Sequence, residues 1–504
     1  MGPSNIVGRA EEIGRFSQAI EDATEGRGSV WFLSGESGIG KSRLAEEVGR
    51  LARERGMRTF WGRCWEAGGA PAYWPWVQVL RAVLRTAEPG QVEPHLAAMS
   101  QILPELPGGD ATPAMEGLGP EQARFRLMDA VSNVLADAAQ RVPIVVVLED
   151  LHVADVSTAL LLDFLGGTVR HQPLLLLGTF REAELASAAA GPQLVRTVQQ
   201  SERIALQRLS EDDVASFLRA SGEAADPSFV RALHETSEGH PLFLVEVAQL
   251  WRSQGRAPAS GRPAIPQSVR MVIRERLATV SEECIETLRR GAVVGREFDI
   301  GLLESCYGDA ATRDGDAAQE ATEAALLIEV APQRYRFVHF LIRELVYDEI
   351  PDAERADSHG RLARHLRDRP RDGEPSWPEV AHHLVAAGQC AEATDAYREA
   401  GQQALRQLAF DEAVQAYVAA LRAADKAAQL DSRERAALLL ELAHAHTRAG
   451  HLPEGKAICV EAVALARELG DAELLAGAAL EHGTQLTFAR VDTELVALLQ
   501  EALD

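Results

Sequence analysis

Eight residues in a row hold the chain's clearest chemistry: Gly35-Glu36-Ser37-Gly38-Ile39-Gly40-Lys41-Ser42. Gly35, Gly40, Lys41 and Ser42 satisfy the spacing G-x-x-x-x-G-K-S. Gly38 and Gly40 tolerate positive φ and let backbone approach a ligand closely. Successive amides then converge on phosphate oxygens, helped by the N-terminus of the helix that follows. Lys41 would supply a cation to the β- and γ-phosphates, and the Ser42 hydroxyl would ligate Mg²⁺. The chain has only three lysines, Lys41, Lys426 and Lys456, among 51 basic residues. A lysine retained in this loop is therefore harder to ascribe to drift.

Two further groups belong to the same chemistry. The run Ile144-Val145-Val146-Val147-Leu148 ends in Glu149-Asp150. A buried strand there would bring both acids to the carboxyl end of a sheet. By position Glu149 takes the metal and Asp150 the base that orients or activates water, and the two roles are interchangeable on sequence. The run Leu174–Phe180 ends in Thr179-Phe180-Arg181. Arg181 is placed to touch a γ-phosphate, or to cap the strand against water.

These residues need a scaffold, and hydrophobic patterning gives it. Strands are expected at 29–34, 58–64, 144–148, 174–180 and 203–209, and helices at 41–55, 121–140 and 156–165. Continuous apolar strands alternating with helices imply a parallel sheet covered on both faces, an α/β P-loop NTPase fold. Ligand then sits beyond the carboxyl ends of the strands. Helices are expected at 211–220, 227–236 and 241–251, followed by a Pro-, Gly- and Ser-rich linker at 253–266. Residues 267–350 read as compact and helical, with a hairpin at 325–337 that suits a winged helix. From about 356 the chain is helical and Ala-rich. Ala393–Tyr397 resembles Ala413–Tyr417, and a helix pair at 436–470 turns at Gly450. That pattern fits an all-α solenoid of tetratricopeptide type. The expected regions are 1–209 (nucleotide-binding), 210–266 (lid and linker), 267–355 (winged-helix-like) and 356–504 (helical repeats). The last lacks an evident closing repeat, as if a longer polypeptide continued.

Composition narrows the function further. The 504 residues carry a formal charge of −24, a poor match to wrapping nucleic acid. Five scattered cysteines without a CxxC argue against disulfides or a zinc site. No stretch has the length of a membrane helix and no secretory leader is visible, so the cytoplasm is the expected compartment. Scarce lysine beside abundant Arg, Ala and Gly points to a GC-rich bacterial genome. Residues 60–80 hold a cluster of aromatics, Phe60, Trp61, Trp65, Tyr73, Trp74 and Trp76, as a plug on the sheet or as a partner- or ligand-contacting insertion. Adjacent His382 and His383 point about 100° apart on a helix, a poor metal site.

Taken together, these motifs resemble the STAND class of signalling ATPases. The resemblance is to the AAA-type ATPase core and helical repeats of large ATP-binding LuxR-type bacterial regulators, over roughly residues 5–350. The opening motif appears as Ile6-Val7-Gly8-Arg9, the acidic strand motif as Glu149-Asp150-Leu151-His152-Val153-Ala154-Asp155. Val153 stands where that motif usually has Trp. Thr179-Phe180-Arg181, Gly239-His240-Pro241 and Phe337-Val338-His339 follow in order. The resemblance implies that Val7 and Arg9 lie by the adenine, that Pro241 packs on the base, and that His339 can read the β-phosphate of ADP. The plainer reading of His339, and the one favoured on sequence, is a satisfied core histidine. An ATP/ADP switch is implied, with slow hydrolysis, self-assembly on ATP binding, and an inducer or partner protein on the repeats. The DNA-binding helix-turn-helix of such regulators has no counterpart here. Arg270, Arg274, Arg276, Arg289 and Arg290 are expected in intramolecular contacts, so no direct DNA contact is expected. Competing functions are an AAA-type remodelling ATPase of origin-recognition or loader kind, and a P-loop kinase of small molecules.

Overall fold

The computed structural model describes residues 6–65, 69–86, 89–106, 118–221, 226–253, 269–308, 313–369, 374–427, 430–483 and 493–503. All but the first residue of the expected linker at 253–266 lie outside them.

Five strands form the first sheet: β1 (Ser29–Ser34), β2 (Arg58–Arg63), β3 (Ile144–Glu149), β4 (Leu174–Phe180) and β5 (Glu202–Ala205). Their order is β2-β3-β4-β1-β5, and neighbouring strands run parallel. Around the sheet lie α1 (Ala10–Thr24), α2 (Lys41–Glu54), α3 (Trp74–Leu84), α4 (Pro89–Met99), α5 (Pro120–Arg141), α6 (Val156–Thr168), α7 (Glu182–Leu185) and α8 (Gly191–Gln199). Side chains alternate across the sheet. Val145, Val147, Leu175 and Leu177 pack with Phe16, Leu44 and Val48, whereas Val146, Leu148 and Leu176 pack with Leu80, Leu127 and Leu162 on the opposite face. With both faces covered, β3 and β4 need apolar residues at every position, which is why they read as unbroken runs.

The strand expected at 203–209 stops at Ala205. Beyond it the backbone has other partners. The Gln207 carbonyl accepts from Arg9 at 2.6 Å, and the Leu209 amide donates to the Gly239 carbonyl at 2.8 Å. The chain leaves the sheet to enter α9 (Glu211–Ala220), α10 (Pro227–Ser237) and α11 (Pro241–Ser253). These share a small core of Val214, Leu218, Phe229, Leu233, Phe243 and Val247.

Next come α12 (Val269–Leu277), α13 (Glu282–Val294), β6 (Glu297–Asp299), α14 (Ile300–Tyr307), α15 (Asp314–Glu323), β7 (Leu327–Ala331), β8 (Arg334–Phe337) and α16 (Phe340–Asp348). The hairpin β7–β8 coincides with the expected one, and β6 adds a third antiparallel strand in the order β6-β8-β7. With three residues and one buried side chain, Phe298, β6 leaves no alternation to detect. Arg270, Arg274, Arg276, Arg289 and Arg290 all pair with acids of the same chain. Arg276 is buried against Glu246 and ties α12 to α11.

The remainder is helical: α17 (Asp352–Asp368), α18 (Trp377–Ala386), α19 (Cys390–Arg406), α20 (Phe410–Ala427), α21 (Ser432–Ala449), α22 (Leu452–Leu469), α23 (Ala472–Gly483) and α24 (Thr493–Leu503). Small residues let consecutive helices approach. A Cβ on Gly401 of α19 would lie 2.6 Å from the Tyr417 ring of α20. Gly450 closes α21 at φ +85°, where glycine is the least strained choice. None of the described helices is long and apolar enough to cross a membrane.

The solenoid rests on the sheet domain. Phe410, Ala413 and Tyr417 share one core with Trp76 and Leu127. At that seam Glu412 accepts from the Ser157 amide at 3.2 Å and from its hydroxyl at 2.6 Å. Asp155 caps α6 by accepting from Thr158 at 2.7 Å, and also accepts from the Tyr73 amide at 3.3 Å. Burial, then the nearby Asp155 charge, pushes Glu412 up to about 7, and burial raises Asp155 as well. A carboxyl whose folded pKa exceeds its unfolded value of about 4.3 stabilises fully below that value. The contribution is lost as pH rises through about 7. Comparing thermal midpoints at pH 5.5 and 8, the wild type should lose stability relative to Glu412→Gln; parallel pH profiles for the two proteins would refute this.

Candidate nucleotide site

The glycine loop between β1 and α2 has the backbone its composition requires. Gly35, Gly38 and Gly40 sit at φ +149°, +77° and +104°. Lys41, the first residue of α2, is 7% exposed and donates to the carbonyls of Gly35 and Glu36, each at 2.8 Å. The loop thus wraps its own ammonium group. Arg9 fastens the loop from outside by donating to the Ile39 carbonyl at 3.3 Å and to that of Gln207. Val7 is half-buried in the segment just before it.

Strand order decides what faces the loop. β4 lies between β1 and β3, with Ser34 level with Phe180 and Leu148 level with Gly178. The tip of β4, bearing Thr179 and Arg181, therefore stands between the glycine loop and the two acids. Thr179 is buried, and its hydroxyl accepts from the Asp150 amide at 3.1 Å. That contact fixes Asp150, which turns out of the strand at φ +61°.

Glu149 is 2% exposed. Burial pushes its carboxyl up, but Arg63, the Ser42 hydroxyl and Arg296 outweigh burial and hold it below the usual carboxylate range. Arg63, the last residue of β2, grips one carboxylate oxygen through two nitrogens, the Nε contact at 3.0 Å. The other oxygen, Oε1, is buried without a hydrogen-bond partner among the described residues. A serine hydroxyl beside an unpartnered carboxylate oxygen is a donor set that suits a hard divalent cation such as Mg²⁺.

Two other regions close over the site. From the lid, the His240 ring nitrogen Nε2 contacts the Ser37 carbonyl at 2.9 Å, one residue before Pro241 at the start of α11. A Cβ on Gly38 would strike His240 at 2.8 Å. Gly239 lies at φ +70°, and a Cβ there would be 2.0 Å from the Leu209 carbonyl. From the region 267–355, Arg296 pairs with Asp150 at 3.4 Å and Glu297 with Arg63 at 3.2 Å. Arg181 stacks over the Phe340 ring at 4.7 Å and pairs with Glu184 at 3.0 Å.

His339 caps α16, its Nδ1 accepting from the Leu341 amide at 3.2 Å. Burial, then the charges of Arg296, His240 and Arg181, push its pKa down to about 3. The ring stays neutral at physiological pH, with its proton on Nε2. It is therefore both a helix cap and a hydrogen-bond donor near Lys41, so the two sequence readings of His339 are compatible.

The structure thus brings Gly35, Gly38, Gly40, Lys41, Ser42, Glu149, Asp150, Arg181, Pro241 and His339 to the carboxyl end of the sheet, with Arg9 bracing the glycine loop. Sequence reasoning missed Arg63, Arg296 and Glu297. Arg63 ends a strand, as many solvated arginines do, and Arg296 and Glu297 follow a glycine with no motif. Nothing local marks them.

Removing Arg63 would leave Glu149 buried and charged. Arg63→Ala is expected to destabilise by about 3 kcal/mol. Mg²⁺ with ATP should restore part of that by pairing Glu149 again. Calorimetric melting with and without Mg-ATP checks both, and an unshifted midpoint would show that the ion pair is not what holds Glu149.

Residues 5–177 match the family model described as AAA ATPase domain. A Rhizobium meliloti (strain 1021) protein, R02095, itself uncharacterised, is 26% identical over 467 residues. The match covers 86% of this chain and 44% of that protein, so the chain spans less than half of its relative's length. Among solved structures, a Pyrococcus horikoshii STAND protein with a tetratricopeptide repeat sensor aligns over 99% of this chain and 71% of its own, at 13% identity and TM-score 0.49. The Aeropyrum pernix ORC2 protein, solved as ADPNP-ADP complexes, aligns over 69% of this chain and 94% of its own, at 15% identity and TM-score 0.35. Structural likeness at these levels carries no inference about activity. The match to the AAA ATPase domain model falls on the N-terminal part of the chain, the part that holds the glycine loop and both acids.

Proposed function

We propose that this chain is a nucleotide-operated switch of the STAND type. It would bind ATP with Mg²⁺, hydrolyse it slowly, and serve in the cytoplasm as part of a LuxR-type transcriptional regulator. The supporting observation is where Arg296 goes. Asp150, the proposed base, is paired with an arginine from the region 267–355, and Arg63 links Glu149 to Glu297 of that region. An acid held in an ion pair is poorly placed to activate water. The arrangement therefore favours retention over turnover, which is what a switch needs.

In this reading the regions are 1–209, 210–266, 267–355 and 356–504. The amides around Gly35, Gly38 and Gly40, with Lys41, embrace the phosphates. Ser42 and Glu149 would hold Mg²⁺, which neutralises phosphate charge when bound. Glu149 and Asp150 share the work across the cleft, and Arg181 senses the γ-phosphate. Val7, Arg9 and Pro241 frame the base. His339 offers its Nε2–H to the β-phosphate of ADP and so favours the closed arrangement. A ligand can shift such an equilibrium only by binding one state better than the other. Opening would withdraw Arg296 and His339 together, free Asp150, and expose surface for self-assembly. The repeats would receive an inducer or a partner protein.

Two outcomes test this. Lys41→Ala should abolish nucleotide binding by calorimetry while far-UV CD stays near wild type; retained affinity would remove the site assignment. Arg296→Ala and His339→Ala should each speed release of a fluorescent ADP analogue about tenfold, and wild-type turnover should lie well below ~1 s⁻¹. Brisk hydrolysis by the isolated wild-type chain would favour the remodelling ATPase instead.

A further inference from the structure

A cavity of about 850 Å³ opens between the aromatic insertion after β2 and the first helices of the solenoid. It is distinct from the nucleotide cleft, since none of the loop or acid residues lines it. Phe60 of β2 and Tyr73 and Trp76 of the insertion are buried in the sheet domain's core, where Trp76 donates to the Thr158 carbonyl at 3.1 Å. Those rings are a plug. Trp65 and Trp74 are half-buried and line the cavity instead. One aromatic cluster thus splits into a structural part and a part facing a void.

The opposite wall is mostly polar, with Glu374, Ser376, Glu379, Gln403, Arg406 and Gln407 beside Leu366 and Pro375, but two of its buried polar atoms lack partners. Gln403 is 9% exposed; its amide nitrogen donates to the Pro375 carbonyl at 3.2 Å, and its Oε1 has no partner among the described residues. The Ser376 hydroxyl is likewise buried and without a partner. Buried polar atoms of this kind are costly unless something satisfies them. The charges on the lining balance: Arg81 and Arg406 against Glu374 and Glu379, with Arg406 paired to Glu374 at 2.5 Å. A charged ligand would have to displace such a pair. Two indole walls beside a buried amide oxygen that lacks a partner suit a flat ring with one or two donors.

We propose that this cavity binds a neutral, planar aromatic small molecule carrying one or two N–H or O–H donors, with a donor on Gln403 Oε1. The site also has a route to the nucleotide cleft. The Trp65 ring lies against Gly295, where a Cβ would meet it at 3.2 Å, and Gly295 precedes Arg296, the partner of Asp150. A ligand that moves Trp65 would disturb that arginine. This link rests on the switch reading above, whereas the binding site does not.

The probe is N-phenyl-1-naphthylamine, a neutral aromatic amine with one N–H whose fluorescence rises in apolar surroundings. Titrated into the full chain without nucleotide, it should saturate at one equivalent. Ala70→Trp, at a half-buried lining position, should fill the space and weaken binding at least tenfold. Gln403→Leu, of similar size, should weaken it severalfold, with far-UV CD confirming both folds. Absence of saturable binding, or wild-type affinity in both variants, overturns the site. Saturating probe should also change the release rate of the fluorescent ADP analogue in wild type. An unchanged rate beside intact probe binding overturns the link to Arg296 and leaves the site standing. Because the titration contains no nucleotide, its failure leaves the nucleotide reading untouched.

Discussion

A buried carboxylate cannot stand alone, and much of this molecule is arranged around that constraint at Glu149. The residue sits at the end of a strand covered on both faces, nearly sealed from water. Charge there must be matched by a cation and by hydrogen bonds. Arg63 of the adjacent strand supplies the cation, and it reaches on to Glu297 in a different region of the chain. Glu297 in turn faces Arg334 and Arg336 of its own small sheet. One electrostatic requirement at a strand end thus becomes a chain of ion pairs that fixes how the region 267–355 sits on the nucleotide domain.

The same end of the sheet is held by backbone as well as charge. Arg9, the turn at Gly239 and the segment after β5 exchange hydrogen bonds that position the glycine loop against the lid. Gly38 and Gly239 are needed because another residue's atoms already occupy the space of a Cβ. The loop is therefore shaped by its neighbours as well as by its own flexibility. A rigid cradle of this kind would keep ordering costs low for an anion bound there.

The solenoid is part of the same body. Its α20 shares a hydrophobic core with α3 and α5, and it places a carboxyl beside the cap of α6. That cap, Asp155, lies five residues after Asp150. A load on the repeats therefore meets the nucleotide domain close to its acids. The seam carries titratable groups and a large cavity, both unusual in a purely structural interface. Regions meant to stay fixed are more often sealed with apolar side chains.

What could be read from the chain alone was whatever depends on near neighbours. The glycine loop, both acids, the parallel strands and the paired repeats each have a local pattern: a fixed spacing, an unbroken apolar run, a period of 3.6 residues. Strand order, the third strand of the small sheet and the early end of β5 were decided only by packing. So were the partners of Glu149 and Asp150, because Arg63 and Arg296 come from segments 86 and 146 residues away along the chain. The division of the aromatic cluster into plug and cavity wall also depended on where the solenoid docked. Local pattern reports which face of an element is apolar. It cannot report which of 48 arginines a buried acid will meet, since that is settled by the free energy of the assembled whole.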